Sequence, residues 1–263
     1  MAHPHAAYRR AVTSLRKRAF TPRYRPEERL ELVTGDGVRL AGPADAKATI
    51  VLVHGFSHSS RTPRVHAFAR LLAVRAHVLV PDLRGHGASA GVSTLGTREP
   101  LDVAAAVAAA DPALPVVTVG VSLGGAAVLL HAGTYGGVAG VVAVSAPAWW
   151  GAWDTRSTRR VQRYAMTATG RLFVSTFLRT RITDRCEGVP DARDLVAAIA
   201  PAFTLVVADP ADHYFSEDHP RAIYEWAREP KDLWLLPGTG HGSDLLTPGL
   251  AARLIEEVER RLR

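Results

Sequence analysis

Short β-branched runs alternate along this chain with longer segments of helical character, the pattern of strands joined by crossover helices in a mostly parallel sheet. Leu30 to Val33 and Val38 to Leu40, joined by Gly35-Asp36-Gly37, predict an antiparallel hairpin. Thr49 to Val53 predicts a buried strand ending at His54-Gly55, followed by a helix over Val65 to Val74 and a strand over His77 to Val80. Glu99-Pro100 opens a helix that runs through alanines to Ala110, because a proline in the first turn forfeits no hydrogen bond. Val116 to Val121 and Val138 to Val144 predict two more strands, with a small-residue helix over Gly124 to His131 between them.

After Pro147 the alternation breaks. Trp149, Trp150 and Trp153 introduce a basic, partly amphipathic stretch that reaches Cys186. Regularity resumes with a helix at Ala192 to Ala200, a strand at Phe203 to Ala208 and a helix at Pro220 to Arg228. A strand at Leu233 to Leu236 and a helix from Pro248 to Leu262 complete the pattern. The fold class expected is α/β: one domain over residues 27–263, about eight strands flanked by helices, and a short helical lid at about 148–190 after the sixth strand. A basic arm, residues 1–26, precedes it.

Composition supports one globular domain, with 47% hydrophobic and 22% charged residues in 263. Cys186 is the single cysteine, so no disulfide can form within the chain. The basic N-terminus lacks the apolar run of a secretory signal, and no stretch approaches the roughly 18 apolar residues of a membrane span, so a cytoplasmic location without an integral membrane segment is expected. The net charge of +7 gathers in the arm and in Arg156 to Arg185. Neither stretch interleaves aromatics with glycines, so no nucleic-acid partner is expected.

Three loops carry chemistry. Gly120-Val121-Ser122-Leu123-Gly124 lies where a buried strand gives way to a helix, the setting a nucleophile elbow needs. A serine hydroxyl requires a base, and among 11 histidines His241 stands out, flanked by glycines in a loop between the last strand and the last helix. The acid that would orient it belongs after the strand Phe203 to Ala208, where Asp212 is favoured and Asp209 is the alternative. Asp82 and Asp244 break the order Ser, Asp, His. The backbone N–H groups of Phe56 and Leu123 are expected to receive an oxyanion. His54 and His58 are spaced i, i+4 but lie in a glycine-containing loop without H-E-x-x-H, so no metal and no cofactor is expected.

These residues resemble the α/β-hydrolase superfamily, in its serine esterase, lipase and aminopeptidase-like branch. His54-Gly55-Phe56 is similar to its oxyanion loop, and Pro81-Asp82-Leu83-Arg84-Gly85-His86-Gly87-Ala88-Ser89 to its P-D-x-R-G-H-G-x-S signature. Pro237 to Gly242 is similar to its histidine loop, and the resemblance spans about 30 to 262 outside the lid. It implies the α/β-hydrolase fold, a Ser122-His241-Asp212 triad, an acyl-enzyme, and a structural turn around Asp82 and His86. One departure is that Asp209 stands where the family's G-x-x-D has glycine, which leaves Asp209 open as the acid. The function expected is hydrolysis of a carboxylic ester or related acyl bond. Acyl transfer or thioester cleavage by the same parts is the alternative, and a non-catalytic ligand-binding member of the fold a more distant one. Trp149, Trp150 and Phe177 are the expected substrate contacts for a small acyl compound. The lid arginines Arg156, Arg159, Arg160, Arg163 and Arg171 suggest that it is anionic. Aminopeptidase activity is disfavoured because Asp154, Asp184 and Glu187 are the lid's only acids.

Overall fold

The computed structural model describes residues 29–32, 35–150, 155–184 and 188–263. The basic arm, Trp153 and Cys186 lie outside the described residues. Eight strands form one sheet in the order β1-β2-β4-β3-β5-β6-β7-β8. They are β1 (Arg29–Leu32), β2 (Gly35–Leu40), β3 (Thr49–Val53), β4 (His77–Pro81), β5 (Val116–Val121), β6 (Gly140–Val144), β7 (Phe203–Ala208) and β8 (Lys231–Leu235). β1 pairs antiparallel with β2 and β2 with β4, and every later pairing is parallel.

Strand composition explains why the centre of the sheet is parallel and covered on both faces. β3, β5, β6 and β7 are buried at every position, the uniform apolar run of a strand with helices above and below. Alternate residues feed two cores. Ile50, Leu52, Val117, Val119, Leu205 and Val207 pack on one face with Phe68 and Leu72 of α1 (Pro63–Leu72) and Leu250 and Leu254 of the C-terminal helix. Val51, Val53, Val141, Ala143 and Val206 pack on the other with α2 (Glu99–Ala108) and α3 (Leu123–Tyr135).

Two helices, α4 (Arg156–Met166) and α5 (Ala168–Phe177), fill the break between β6 and β7. Local signals start both. Thr155 and Thr158 form a reciprocal capping box at α4, and Thr167 Oγ1 accepts from the Gly170 N–H at α5. Leu95 joins Ala165, Val174 and Ile182 in a small core of their own, with Phe56 against it. The chain after α5 is tied back through the Arg181 N–H to Gly85 O and the Ser93 N–H to Arg181 O. The remaining helices are α6 (Arg193–Val196), α7 (Asp218–Trp226) and α8 (Pro248–Arg261), with a 3₁₀ turn at Gly242–Leu245.

Two expectations need correction. Gly35-Asp36-Gly37 is part of β2 and not the turn, since Leu32 pairs with Gly35 and Leu30 with Gly37. The glycine at 37 answers to crowding, because a Cβ there would stand 2.4 Å from Val80 O. The helix expected over Ala192 to Ala200 shortens to one turn, Arg193–Val196.

Candidate active site

β5 delivers Ser122 to the carboxyl edge of the sheet in a backbone conformation of φ 53° and ψ −115°. That region is strained for any residue with a side chain and persists only where its surroundings enforce it. Here the enforcement is packing. A Cβ at Gly124 would lie 2.4 Å from Val53 O, and one at Gly120 would lie 2.2 Å from Gly124 O. Only glycines let strand β5, the turn and helix α3 approach so closely. Ser122 thereby precedes the first turn of α3, whose unpaired N–H groups and positive dipole end face the same space.

The structure brings Ser122, His241 and Asp212 together. His241 Nε2 lies 3.1 Å from Ser122 Oγ, and His241 Nδ1 lies 2.6 Å from Asp212 Oδ2. With Nδ1 donating to the carboxylate, Nε2 is left to accept the serine proton. Asp212 Oδ1 is occupied by the N–H groups of Tyr214 at 2.7 Å and Phe215 at 3.3 Å, which fix the carboxylate's orientation. The rings of Tyr214 and Phe215 then pack on the His241 ring, with centroids 4.3 and 5.4 Å away.

Asp209 does something else. Its Oδ2 accepts from the Gly240 N–H at 2.7 Å and its Oδ1 from the Ala211 N–H at 2.9 Å. Burial raises its pKa, but the N–H groups of Gly240, Ala211, Thr239 and Gly238 outweigh that effect and hold the carboxyl below its ordinary range. On the far side of the histidine, the Gly242 N–H donates to Ser145 Oγ at 3.1 Å. His241 is therefore pinned through both neighbouring residues. Ser145 went unread in the sequence because a serine after a strand carries no signal; its positive φ of 48° appears only in the structure.

Phe56 and Leu123 both line the space in front of Ser122. Neither backbone N–H donates to another group among the described residues. Gly55 brings their loops together, for a Cβ there would lie 3.3 Å from Ser122 Cβ. His54 holds this loop from behind. Its Nε2 accepts from the Leu83 N–H at 3.1 Å, so its Nδ1 donates to Gly55 O at 2.9 Å. Burial lowers its pKa to about 4, and that of His86, 5.2 Å away, to about 3. Asp82 accepts from the N–H groups of Ser60 and Ala88, binding the same turn to the loop before α1.

The cavity in front of Ser122 holds about 320 Å³. Phe56, Leu95, Trp149, Trp150, Val161 and Tyr214 give it apolar walls. Glu99, fully buried beneath the wall, accepts from the Ser93 and Thr94 hydroxyls and from the N–H groups of Thr94 and Gly96. Those bonds hold Leu95 at a φ of 57°.

Trp149 and Trp150 reach the cavity, and Phe177 does not. Phe177 is 52% exposed and packs on Phe173 at 4.8 Å. The arginines of α4 also miss it. Thr158 and Val161, three residues apart, turn one side of the helix inward, which sends Arg156, Arg159, Arg160 and Arg163 to the exposed side. Among the described residues none of the expected lid arginines lines the cavity, and Asp244, beside Arg64 at the rim, is its one carboxylate. Among the described residues, no cluster of three or more His, Cys, Asp or Glu could hold a metal. None of their helices is long and apolar enough to cross a membrane.

The family model described as the alpha/beta hydrolase family matches residues 50–257. The chain belongs to the alpha/beta hydrolase family. That match runs from β3 through most of α8 and so contains every loop of the site. An esterase from Pyrococcus furiosus, Pf2001, superposes with a TM-score of 0.70 at 16% identity, covering 92% of this chain and 98% of that one. The esterase RhEst1 from a Rhodococcus species does so with a TM-score of 0.69 at 21% identity, covering 89% and 98%. At these identities the likeness is one of fold. No curated protein matches the chain.

Proposed function

We propose that this alpha/beta hydrolase cleaves carboxylic esters of small, uncharged acyl groups, with Ser122 as nucleophile, His241 as base and Asp212 as the acid that orients it. The observation that carries this reading is the unbroken path from Asp212 Oδ2 through His241 to Ser122 Oγ at the mouth of an apolar cavity. Esterases among the structural neighbours support it.

The chemistry follows from the geometry. His241 Nε2 takes the Ser122 proton as Oγ bonds to the ester carbonyl carbon, and the carbonyl electrons move onto oxygen. Free N–H groups at Phe56 and Leu123 meet that charge in a site where few water dipoles compete. Collapse of the intermediate returns the electrons, breaks the bond to the alkoxy oxygen, and passes the His241 proton to the departing alcohol. Water then repeats the sequence on the acyl-enzyme. Asp212 stays ionised throughout, holding the proton on Nδ1 and stabilising the imidazolium.

Substrate size follows from the cavity. A volume of about 320 Å³ is at the small end of the roughly 300–1,000 Å³ range of ligand pockets. Among the described residues no lysine or arginine lines it, so an acyl group bearing a carboxylate or phosphate would lose its hydration without a partner there. On a series of p-nitrophenyl esters, kcat/KM is expected to be highest for acetate to hexanoate and about 10-fold or more lower for palmitate. Hydrolysis is expected to vanish in Ser122→Ala. Preference for palmitate would refute the size assignment, and undiminished turnover by Ser122→Ala would refute the nucleophile.

A further inference from the structure

The outward side of α4 and α5 has a character the active site does not use. Tyr164 of α4 stacks on Phe173 of α5, centroids 5.4 Å apart at 18°, and Phe173 packs on Phe177. Leu172 of α5 and Leu178 at its C-cap add two more large apolar side chains, and the five are 39–52% exposed. Arg160 shares the Tyr164 face one turn earlier, with Arg156 one turn before it and Arg163 adjacent. These three arginines have no ion-pair partner among the described residues. Residues 155–184 contain seven arginines against one acid, Asp184.

We propose that this face docks on an anionic phospholipid surface. Exposed aromatic and leucine side chains beside unpaired arginines are the two halves of an interfacial helix: the apolar groups enter the boundary between headgroups and acyl chains while the cations meet headgroup phosphates. A second copy of the chain is a poor occupant, because a symmetric pairing would set these arginines against themselves. Nucleic acid would satisfy the arginines and leave Leu172 and Leu178 against water. The opposite side of α4 contributes Thr158 and Val161 to the cavity, so docking places one wall of the active site at the lipid boundary. Apolar esters concentrate there.

Sedimentation of the full-length protein with vesicles tests the assignment. The wild type is expected to pellet with vesicles of phosphatidylcholine and phosphatidylglycerol at low salt, and to be released by high salt or by omission of phosphatidylglycerol. The double variant Arg160→Glu/Arg163→Glu is expected to lower the partition coefficient about 30-fold or more, and Phe173→Ser about 10-fold. Turnover of p-nitrophenyl acetate in free solution is expected to be unchanged in the arginine variant, so failure of docking and failure of the catalytic reading are separable. A wild type that stays in the supernatant overturns the proposal. So do variants that pellet as the wild type does, which would move lipid binding elsewhere on the chain.

Discussion

Asp212→Asn is expected to lower kcat/KM for p-nitrophenyl acetate by about 10⁴-fold, whereas Asp209→Asn lowers it by about 10²-fold at most. The two aspartates stand three residues apart after β7, and only their hydrogen bonds distinguish them. Asp212 touches the imidazole directly. Its amide replacement presents an N–H or a neutral oxygen to Nδ1, which removes the charge that stabilises imidazolium and turns the ring toward the wrong tautomer. Asp209 touches only backbone N–H groups, two of which belong to the Thr239-Gly240 segment that carries His241. Asparagine keeps an acceptor there, so the loop loosens without losing its proton pathway. Kinetics of the two variants under identical conditions, with thermal unfolding as a check on folding, decides the assignment. Equal losses would mean that the carboxylates share one role.

Acidification is expected to weaken the fold well before carboxylates are protonated. Burial holds His54 at a pKa of about 4 and His86 at about 3, both below the ordinary 6.5. In that window the unfolded chain binds protons that the folded chain refuses, so stability rises with pH and falls as pH drops below about 6.5. Two such groups give a slope approaching about 2.7 kcal/mol per pH unit until the folded protein can itself take the protons. Burial raises the pKa of Asp82 and Asp102, an opposite effect: above 3.8 the folded chain takes up these protons more readily than the unfolded chain, which offsets part of the histidine slope. At lower pH, protonation of Asp209 removes the anchor of the histidine loop, since its lowered pKa makes its contribution complete above about pH 4 and lost beneath it. Urea unfolding at pH 7, 6 and 5 measures the slope. A midpoint unchanged from pH 7 to pH 5 would contradict the neutral, buried state of His54 and His86.

The central sheet was legible because each buried parallel strand is a short apolar run rich in β-branched residues, too short for a helix of ordinary length. β5 and β7 have the expected limits for that reason. The excursion after β6 was illegible in detail, because its threonine caps and outward arginines resemble a loop as much as a helix pair. Phe177 was expected in the acyl pocket on hydrophobicity alone; which side of α5 faces inward depends on tertiary packing, which no periodicity of ten residues reveals.

 The contacts that decide it are those of Val174 with Leu95 and Ile182. The backbone anchoring by Asp209, read from sequence only as the alternative acid, and by Ser145 was beyond sequence reading for a different reason. Their roles rest on which N–H group each oxygen meets across the fold, and the residue types alone permit many partners.

If His241 and Asp212 activate Ser122 as proposed, its hydroxyl reacts with electrophiles that ordinary serines ignore. Intact-protein mass measurement after exposure to a fluorophosphonate tests this most directly, because phosphonylation needs the same base and the same N–H groups as ester attack. One adduct per chain is expected, located on Ser122, absent from Ser122→Ala and strongly slowed in Asp212→Asn. An unlabelled wild type, or an adduct that persists in Ser122→Ala, would contradict it.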